Sequence, residues 1–239
     1  MTDMIRAGRE GAVATITIDR PGEGNMLTLD MLRALAAAFR AAGESDAKVI
    51  LLRSVGAEFC RGREAKGPPS PTAMAMRRNV TEPILNVYDE IAAAPQPVVC
   101  AVQGLAHGFG CAIATACDVS IAADVARFKL PEMEKDLPPT LAISAMMARV
   151  PRKALTYMVY SMTEIDAHTA LQLGIVSAVV PRNELDAAVA KLLATMTARS
   201  PEALVAVKDY MRSAPTMDAR GAREFGGNLL AAVLSSAGR

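Results

Sequence analysis

Three short segments of the 239-residue chain contain residues that together suit proton transfer next to a carbonyl group. They are Cys60-Arg-Gly-Arg-Glu64, Gly104-Leu-Ala-His-Gly-Phe-Gly110 and Phe128-Lys-Leu-Pro-Glu132. Each follows or contains an apolar run typical of a strand and leads into a turn or a helix start. The first two offer backbone N–H groups, and the third offers a carboxylate. Two amides that stabilise an oxyanion, with one acid nearby, are a minimal set for this chemistry.

The two glycine-containing segments supply the candidate amide donors. Gly62 lets the backbone turn sharply and approach a ligand, so the N–H of Arg63 is one candidate. A helix predicted to start at Gly108 leaves N–H groups unpaired at the positive end of its dipole, and there the N–H of Phe109 suits an oxyanion. The same residues are also typical of an ordinary strand-to-loop turn and of a helix packed closely on a strand.

The side chains that titrate or carry charge have ordinary explanations as well. Glu132 begins a helical segment, where an acid often serves only to satisfy the helix dipole. His107 is more often packed or hydrogen-bonded than a general base, although its pKa range keeps it a candidate. His168 lies within a predicted helix and is interpreted as structural. Arg63 and Lys66 are expected to be solvated, yet they flank the turn and suit a phosphate.

Composition narrows the class of protein. The chain is 51% hydrophobic and has a net charge of +1, from 26 basic and 25 acidic residues. No nucleic-acid or acidic-membrane partner is expected, since either needs a basic excess. The sequence shows no signal peptide and no apolar run of about 18 residues, which predicts a soluble, cytoplasmic protein. No metal is expected, and reduced buried thiols are predicted for Cys60, Cys100, Cys111 and Cys117.

Hydrophobic patterning predicts an α/β fold. Residues 13–19 alternate as a half-buried strand, Thr28 caps a helix that Gly43 ends, and residues 48–54 form a buried strand. This β-α-β unit implies parallel pairing with a right-handed crossover. The same patterns predict further helices over residues 72–94 and 108–116, and further strands over residues 98–102, 119–122 and 126–128.

From about residue 139 the pattern becomes mainly helical. Thr163-Glu-Ile-Asp166 resembles a capping box for a helix that Gly174 ends, and residues 175–180 suggest one more short strand. Two further helices are predicted to start at Asn183 and at Ser200. The sequence therefore divides into a core region, residues 1–180, and a helical C-terminal region, residues 181–239.

In this order, the segments resemble the crotonase superfamily, the enoyl-CoA hydratase/isomerase family, over about residues 13–180. The matching motifs are Ile16-Thr-Ile-Asp-Arg-Pro21 with Asn25, Phe59-Cys-Arg-Gly-Arg-Glu64, Ala101-Val-Gln-Gly-Leu-Ala106 through Cys117-Asp118, Phe128 with Pro131-Glu132, and Gly174-Ile-Val-Ser with Val179-Val-Pro. The resemblance implies a crotonase-like spiral of β-β-α units and a C-terminal region that docks on a neighbour in a homotrimer or hexamer. It also implies a role in fatty acid metabolism.

The resemblance further implies a substrate and a set of site residues. The substrate is an acyl-CoA thioester, with coenzyme A as part of the substrate and no cofactor bound permanently. The oxyanion hole falls on the backbone N–H groups of Arg63 and Phe109, and Glu132 is the catalytic acid. Contacts with the thioester are implied for Arg61, Gly62, Glu64, Lys66 and Gly108.

One departure from the family bears on the reaction. The family's hydratases use two glutamates, and this chain has Ala112 at the first of these positions and Glu132 at the second. Family members that shift a double bond with one acid resemble it better. Moving the bond from C3 to C2 needs one carboxylate, which takes a proton from C2 and returns it at C4, whereas hydration also needs a group that activates water. An enoyl-CoA isomerase is therefore the leading prediction.

Two alternatives stay open. One is a hydratase or dehydratase, a lyase, with an atypical second group such as His107, Glu134 or Asp136. The other is a catalytically idle CoA-binding subunit. The resemblance also places Phe109 where the family often has glycine. It places residues 133–140 where the family has a glycine-containing stretch. Because these departures change the substrate end of the pocket, the sequence does not specify the acyl group.

Overall fold

A six-stranded sheet forms the centre of the molecule in the computed structural model, which describes residues 4–64 and 71–236. The strands of the described residues are β1 (Ile5–Glu10), β2 (Val13–Ile18), β3 (Val49–Ser54), β4 (Val98–Val102), β5 (Leu105–His107), β6 (Val119–Ala123), β7 (Arg127–Lys129), β8 (Ile165–Asp166) and β9 (Ala178–Val180). The large sheet has the order β1-β2-β3-β4-β6-β9 and is parallel except at β1–β2. A smaller sheet has the order β5-β7-β8.

Helices cover the sheets and build the C-terminal region. They are α1 (Leu29–Gly43), α2 (Ala73–Met76), α3 (Glu82–Ala93), α4 (Phe109–Ala116), α5 (Thr140–Met146), α6 (Arg152–Ser161), α7 (Ala167–Gln172), α8 (Leu185–Thr197), α9 (Pro201–Ser213) and α10 (Ala219–Ser236). A π-helical turn, Arg77–Thr81, joins α2 to α3. The helix predicted over residues 72–94 is therefore continuous, with one widened turn.

The mixed α/β architecture predicted from the sequence is confirmed, and strand β3 shows how it forms. Ile50 and Leu52 point into the main apolar core, while Val49 and Leu51 pack on the other face of the sheet against residues of α8. Burial on both faces is typical of a central parallel strand. The β2-α1-β3 unit pairs in parallel as expected, and the Thr28 hydroxyl caps α1 by accepting from the Met31 N–H at 3.2 Å.

The start of α7 differs from the predicted capping box. Asp166, rather than Thr163, is the N-cap, and its carboxylate accepts from the Thr169 N–H at 2.7 Å. The reason is that Ile165–Asp166 is paired with β7, which keeps the chain extended up to the residue before the helix. The capping-box interpretation is therefore wrong by three residues.

A buried lysine fastens α9 to the core. Lys208 donates to the carbonyl oxygens of Ile91 and Gln96 at 2.9 and 3.0 Å and lies 3.0 Å from the Asp118 carboxylate. Asp118 in turn accepts from the Val98 N–H at 2.8 Å, at the start of β4. One cation thus joins the end of α3, the start of β4 and a C-terminal helix.

Replacing Lys208 with Met is expected to lower the free energy of unfolding by about 3 kcal/mol, because two carbonyls and a partly buried carboxylate lose their partner. Chemical denaturation measures the loss. Lys191→Met, at an exposed position of α8, is the matched control and should stay within about 0.5 kcal/mol of the wild type. Equal stability of the two variants would contradict a fastening role for Lys208.

The last helix leaves apolar side chains in solvent. No residue of α10 is buried, and Leu230 and Leu234 are 60% and 65% exposed. Tyr210 of α9 stacks on Phe225 of α10 with ring centroids 6.1 Å apart. The oligomerisation role and the boundary at residue 180 stay predictions. Among the described helices, none has the length and hydropathy needed to cross a bilayer.

Candidate active site

A cavity of about 530 Å3 lies where the three predicted segments meet. The turn at residues 61–63, the start of α4 and residues 131, 132, 134, 135 and 137–142 line one part of it. The helical segment that contains the π turn lines the other. Arg63, Phe109 and Glu132 therefore all border the same space, as the sequence predicted for a single site.

The first candidate donor, the Arg63 N–H, is directed by a short parallel bridge. Leu27 donates its N–H to the Gly62 oxygen, and the Leu27 oxygen accepts from the Glu64 N–H, both at 3.0 Å. In such a bridge the middle residue points its own N–H to the opposite side. Within residues 4–64 and 71–236, the Arg63 N–H has no acceptor. A donor is thus held on the side away from Leu27.

The second candidate donor, the Phe109 N–H, belongs to the first residue of α4. An N–H in the first turn of a helix has no partner within the helix, and in the described part of the chain it has no other acceptor. Gly108 precedes it with a φ of 51° and donates to the Lys129 oxygen at 2.8 Å. This left-handed residue turns the chain so that α4 begins at the cavity.

A second bridge joins the chain before the turn at residues 61–63 to the chain before α4. Cys60 donates to the Leu105 oxygen at 2.9 Å, and its own oxygen accepts from the His107 N–H at 3.0 Å. Gly110 packs on this bridge so closely that a Cβ at residue 110 would overlap the Cys60 carbonyl. The start of α4 and the turn after Cys60 are therefore fixed relative to each other.

Glu132 places a carboxylate beside the second donor. A Cβ built on Gly108 would lie 2.8 Å from the Glu132 Oε1, so the acid lies directly over the residue before Phe109. The Glu132 Oε2 is buried and has no hydrogen-bond partner among the described residues. Burial raises the pKa of Glu132. A carboxylate with one unpaired buried oxygen and a raised pKa suits reversible proton transfer.

The raised pKa of Glu132 also predicts how its substitution changes stability with pH. A carboxyl whose folded-state pKa lies above its unfolded value favours folding while protonated, and this contribution is lost as pH rises through the folded-state pKa. Glu132→Gln removes the charge, so its melting temperature relative to the wild type should increase as pH rises from about 4 to about 8. Thermal unfolding across this range measures the difference, and a pH-independent difference would contradict the raised pKa.

The other carboxylates considered from the sequence lie in different settings. Glu134 borders the cavity but is half exposed, and its ion pair with Lys129 at 2.5 Å lowers the pKa of Glu134. Asp136 is exposed and lies outside the lining. Ala112 is fully buried and also outside the lining. Glu132 is thus the carboxylate next to the two donors.

The histidines lie away from the cavity lining. The His107 Nε2 is 3.0 Å from a Glu164 carboxylate oxygen, although the geometry is not that of a hydrogen bond. Burial lowers the pKa of His107, while Glu164 opposes this shift. His168 is exposed on α7. His107 therefore contacts a neighbouring carboxylate on the protein rather than the space between the donors.

Some of the residues predicted to contact the thioester line the cavity, and others do not. Arg61, Gly62 and Gly108 line the cavity. Glu64 does not, since it forms an ion pair with Arg20 at 2.5 Å. Lys66 lies outside the described residues. The assignment of these residues to ligand binding stays a prediction.

Two cavity residues were missed in the sequence. Lys135 adds a cation at the rim, and Tyr88 adds a hydroxyl on the helical wall. Val80 and Ile84 line this wall together with Tyr88. Val80, Ile84 and Tyr88 are four residues apart on one helix face, and this spacing is the sequence signal that could have identified Tyr88 as a cavity residue.

The four cysteines are free and buried. Burial raises the pKa of Cys60 to about 12 and keeps the Cys111 thiol protonated as well. Within residues 4–64 and 71–236, no three acidic, histidine or cysteine side chains converge as metal ligands. The thiols therefore act as small apolar side chains in the main core.

Comparison with known proteins gives consistent matches. The family model described as enoyl-CoA hydratase/isomerase matches residues 8–238. The mitochondrial enoyl-CoA hydratase domain-containing protein 3 of Rattus norvegicus is 30% identical over 179 residues, which are 74% of this chain and 60% of that protein. The 2,3-dehydroadipyl-CoA hydratase of Escherichia coli is 30% identical over 213 residues, which are 89% of this chain and 82% of that protein.

A solved structure extends the likeness to the fold. The enoyl-CoA hydratase of Mycobacterium smegmatis superposes with a TM-score of 0.91 at 26% identity, covering 97% of this chain and 91% of that one. The match spans about 60% of the length of the first curated relatives.

Proposed function

We propose that this chain, which belongs to the enoyl-CoA hydratase/isomerase family, moves the double bond of an enoyl-CoA from C3 to C2, with Glu132 as the single proton carrier. The observation that supports this reaction best is a carboxylate with an unpaired buried oxygen on the same cavity as two N–H groups that have no acceptor among the described residues. The position that would supply a second glutamate holds Ala112, which does not reach the cavity. The chemistry that needs one acid therefore fits better than the chemistry that needs two.

The first step is removal of a proton from C2. The thioester oxygen accepts from the Arg63 and Phe109 N–H groups, and the ionised Glu132 takes the C2 proton. The C–H electron pair becomes the new C1–C2 double bond, and the carbonyl electrons move onto the oxygen. Two donors aimed at that oxygen stabilise the resulting dienolate, and removing one such donor typically costs about 3 kcal/mol.

The second step returns the same proton to C4. Glu132 is now a neutral carboxylic acid, which its buried position favours. The oxyanion electrons re-form the carbonyl, the C1–C2 pair shifts to C2–C3, and the former C3–C4 pair takes the proton at C4. Glu132 is ionised again, and the product is the conjugated 2-enoyl thioester.

The charge around the cavity suits a thioester of coenzyme A. Arg61, Arg63 and Lys135 lie at its border, and cations there attract phosphate groups. We also propose a homotrimer or hexamer and a cytoplasmic location. The exposed apolar residues of α10 support the assembly, since such a face is typical of a subunit contact.

Hydration of a 2-enoyl-CoA is the second candidate function. Glu134 supports it, because it is a second carboxylate on the same cavity and its ion pair with Lys129 keeps it ionised, as a group that takes a proton from water must be. Glu132, with its raised pKa, would then supply the C2 proton. Relatives that carry hydratase names agree with this alternative.

Incubation with a 3-enoyl-CoA and separately with a 2-enoyl-CoA distinguishes the candidates. A shifted alkene from the first, with no 3-hydroxyacyl product from the second, is the expected result. Rapid formation of the 3-hydroxy product would favour hydration. Binding of coenzyme A without deuterium exchange at C2 of any acyl-CoA would instead indicate an idle subunit and would refute both enzymatic proposals.

A further inference from the structure

The apolar wall of the cavity contains a buried tyrosine in a fixed position. Tyr88 of α3 is 8% exposed and borders the cavity. Its ring stacks on the ring of Phe109, with centroids 5.5 Å apart and planes 19° apart. Phe109 therefore supplies an oxyanion donor from its backbone and orients Tyr88 with its side chain.

Among residues 4–64 and 71–236, the Tyr88 hydroxyl has no hydrogen-bond partner, and it is not one of the fully buried unpaired polar atoms, so it is accessible at the cavity. By contrast, Thr81 on the same wall donates its hydroxyl to the Arg77 oxygen at 3.0 Å. A ligand that displaces water from this wall leaves the hydroxyl unpaired unless the ligand offers an acceptor, whereas phenylalanine would fill the same volume without that penalty. A ligand oxygen at this position would satisfy the donor.

We propose that Tyr88 donates a hydrogen bond to an oxygen on the acyl chain, so that the substrates of this cavity are acyl-CoA thioesters with a neutral hydroxyl or carbonyl group beyond C3. This inference rests on the proposed function only in that the acyl group occupies the cavity described above. It makes Tyr88 a specificity residue, separate from the groups that move the proton.

The surroundings of Tyr88 decide which kind of oxygen fits. Burial and the nearby Glu132 carboxylate raise the pKa of Tyr88, so the phenol stays protonated and can donate. The same carboxylate disfavours a second anion beside Tyr88, so a neutral oxygen fits this position better than a carboxylate. Val80, Ile84 and Leu141 complete the wall and contact the hydrocarbon part of the chain.

Isosteric pairs of thioesters test the inference. The pairs are 6-hydroxyhexanoyl-CoA with heptanoyl-CoA, and 5-hydroxyhexanoyl-CoA with 5-methylhexanoyl-CoA, in which a methyl group replaces the hydroxyl. For each compound, the rate of C2 deuterium exchange and the dissociation constant are measured with the wild type, Tyr88→Phe and Tyr157→Phe. Tyr157 is 64% exposed and is the matched control.

Within at least one pair, the wild type and Tyr157→Phe should both prefer the hydroxylated thioester. The preference should be about tenfold or more, either in kcat/KM for C2 exchange or in the dissociation constant. Tyr88→Phe should abolish that preference. A preference that survives in Tyr88→Phe would overturn the inference, and so would a wild type that does not discriminate within either pair.

Because the exchange rate and the dissociation constant are both measured, a failure of this inference can be distinguished from a failure of the proposed reaction. Exchange with heptanoyl-CoA but without discrimination would overturn the role of Tyr88 alone. If no compound exchanges its C2 proton, the proposed reaction fails, and the ratios of dissociation constants still decide whether Tyr88 recognises an acyl oxygen. A melting temperature of Tyr88→Phe near that of the wild type confirms that both proteins are folded.

Discussion

Replacing Glu132 with Gln is expected to slow C2 deuterium exchange of an acyl-CoA by a factor on the order of 10³. Glutamine has nearly the same shape but cannot take a proton. The backbone donors Arg63 and Phe109 keep their positions in the variant, because hydrogen bonds of the main chain hold them. The dissociation constant of coenzyme A should therefore change little, while turnover is lost.

Glu184→Gln is the matched control for this variant. Glu184 also lies in a 3-10 turn, but it is exposed and far along the chain from the cavity lining. Exchange by the control should equal that of the wild type. Full activity in Glu132→Gln would remove the basis for a single proton carrier, and a parallel loss of coenzyme A binding would point to a structural role for Glu132 instead.

Substitution of Gly110 with Ala is expected to lower turnover by a factor of about 10² to 10³, the usual effect of losing an oxyanion donor. The added Cβ would overlap the Cys60 carbonyl oxygen and lie 2.9 Å from the Cys60 Cβ. Because backbone atoms cannot yield cheaply, α4 has to move away from the turn at residues 61–63. The position of the Phe109 N–H relative to the Arg63 N–H therefore changes.

Gly227→Ala is the control for the general effect of replacing a helical glycine with alanine. It lies in α10 with no atom within 4 Å of the added Cβ, so stability should be unchanged or slightly higher. Circular dichroism establishes the folded fraction of Gly110→Ala, and the exchange rate is expressed per folded molecule. Wild-type turnover in folded Gly110→Ala would show that the spacing of the two donors does not set the rate.

The elements that were predicted correctly are those with local signals. Alternation along β2, the Thr28 cap of α1 and the apolar run of β3 each act within a few residues, so the first β-α-β unit was predicted well. Strands β5 and β8 were missed because they have three and two residues and exist only through pairing with β7. Such pairing depends on the folded chain and leaves little pattern in the sequence.

The candidate site shows the same division. Arg63, Phe109 and Glu132 belong to motifs with glycine or proline at fixed spacing, and the structure brings them to one cavity. Tyr88 has no such motif. Whether its ring faces the core or a ligand depends on how α3 packs on α4, and helical spacing alone does not report that orientation.

The contact between Gly108 and Glu132 limits how this chain can diverge. The carboxylate occupies the space that any side chain at position 108 would need, and the backbone there has a φ of 51°, which side chains rarely adopt. A larger residue at position 108 is therefore compatible only with a shorter or displaced residue at position 132. A substitution at position 108 therefore displaces the proposed acid, whereas residue 132 can be exchanged while Gly108 stays.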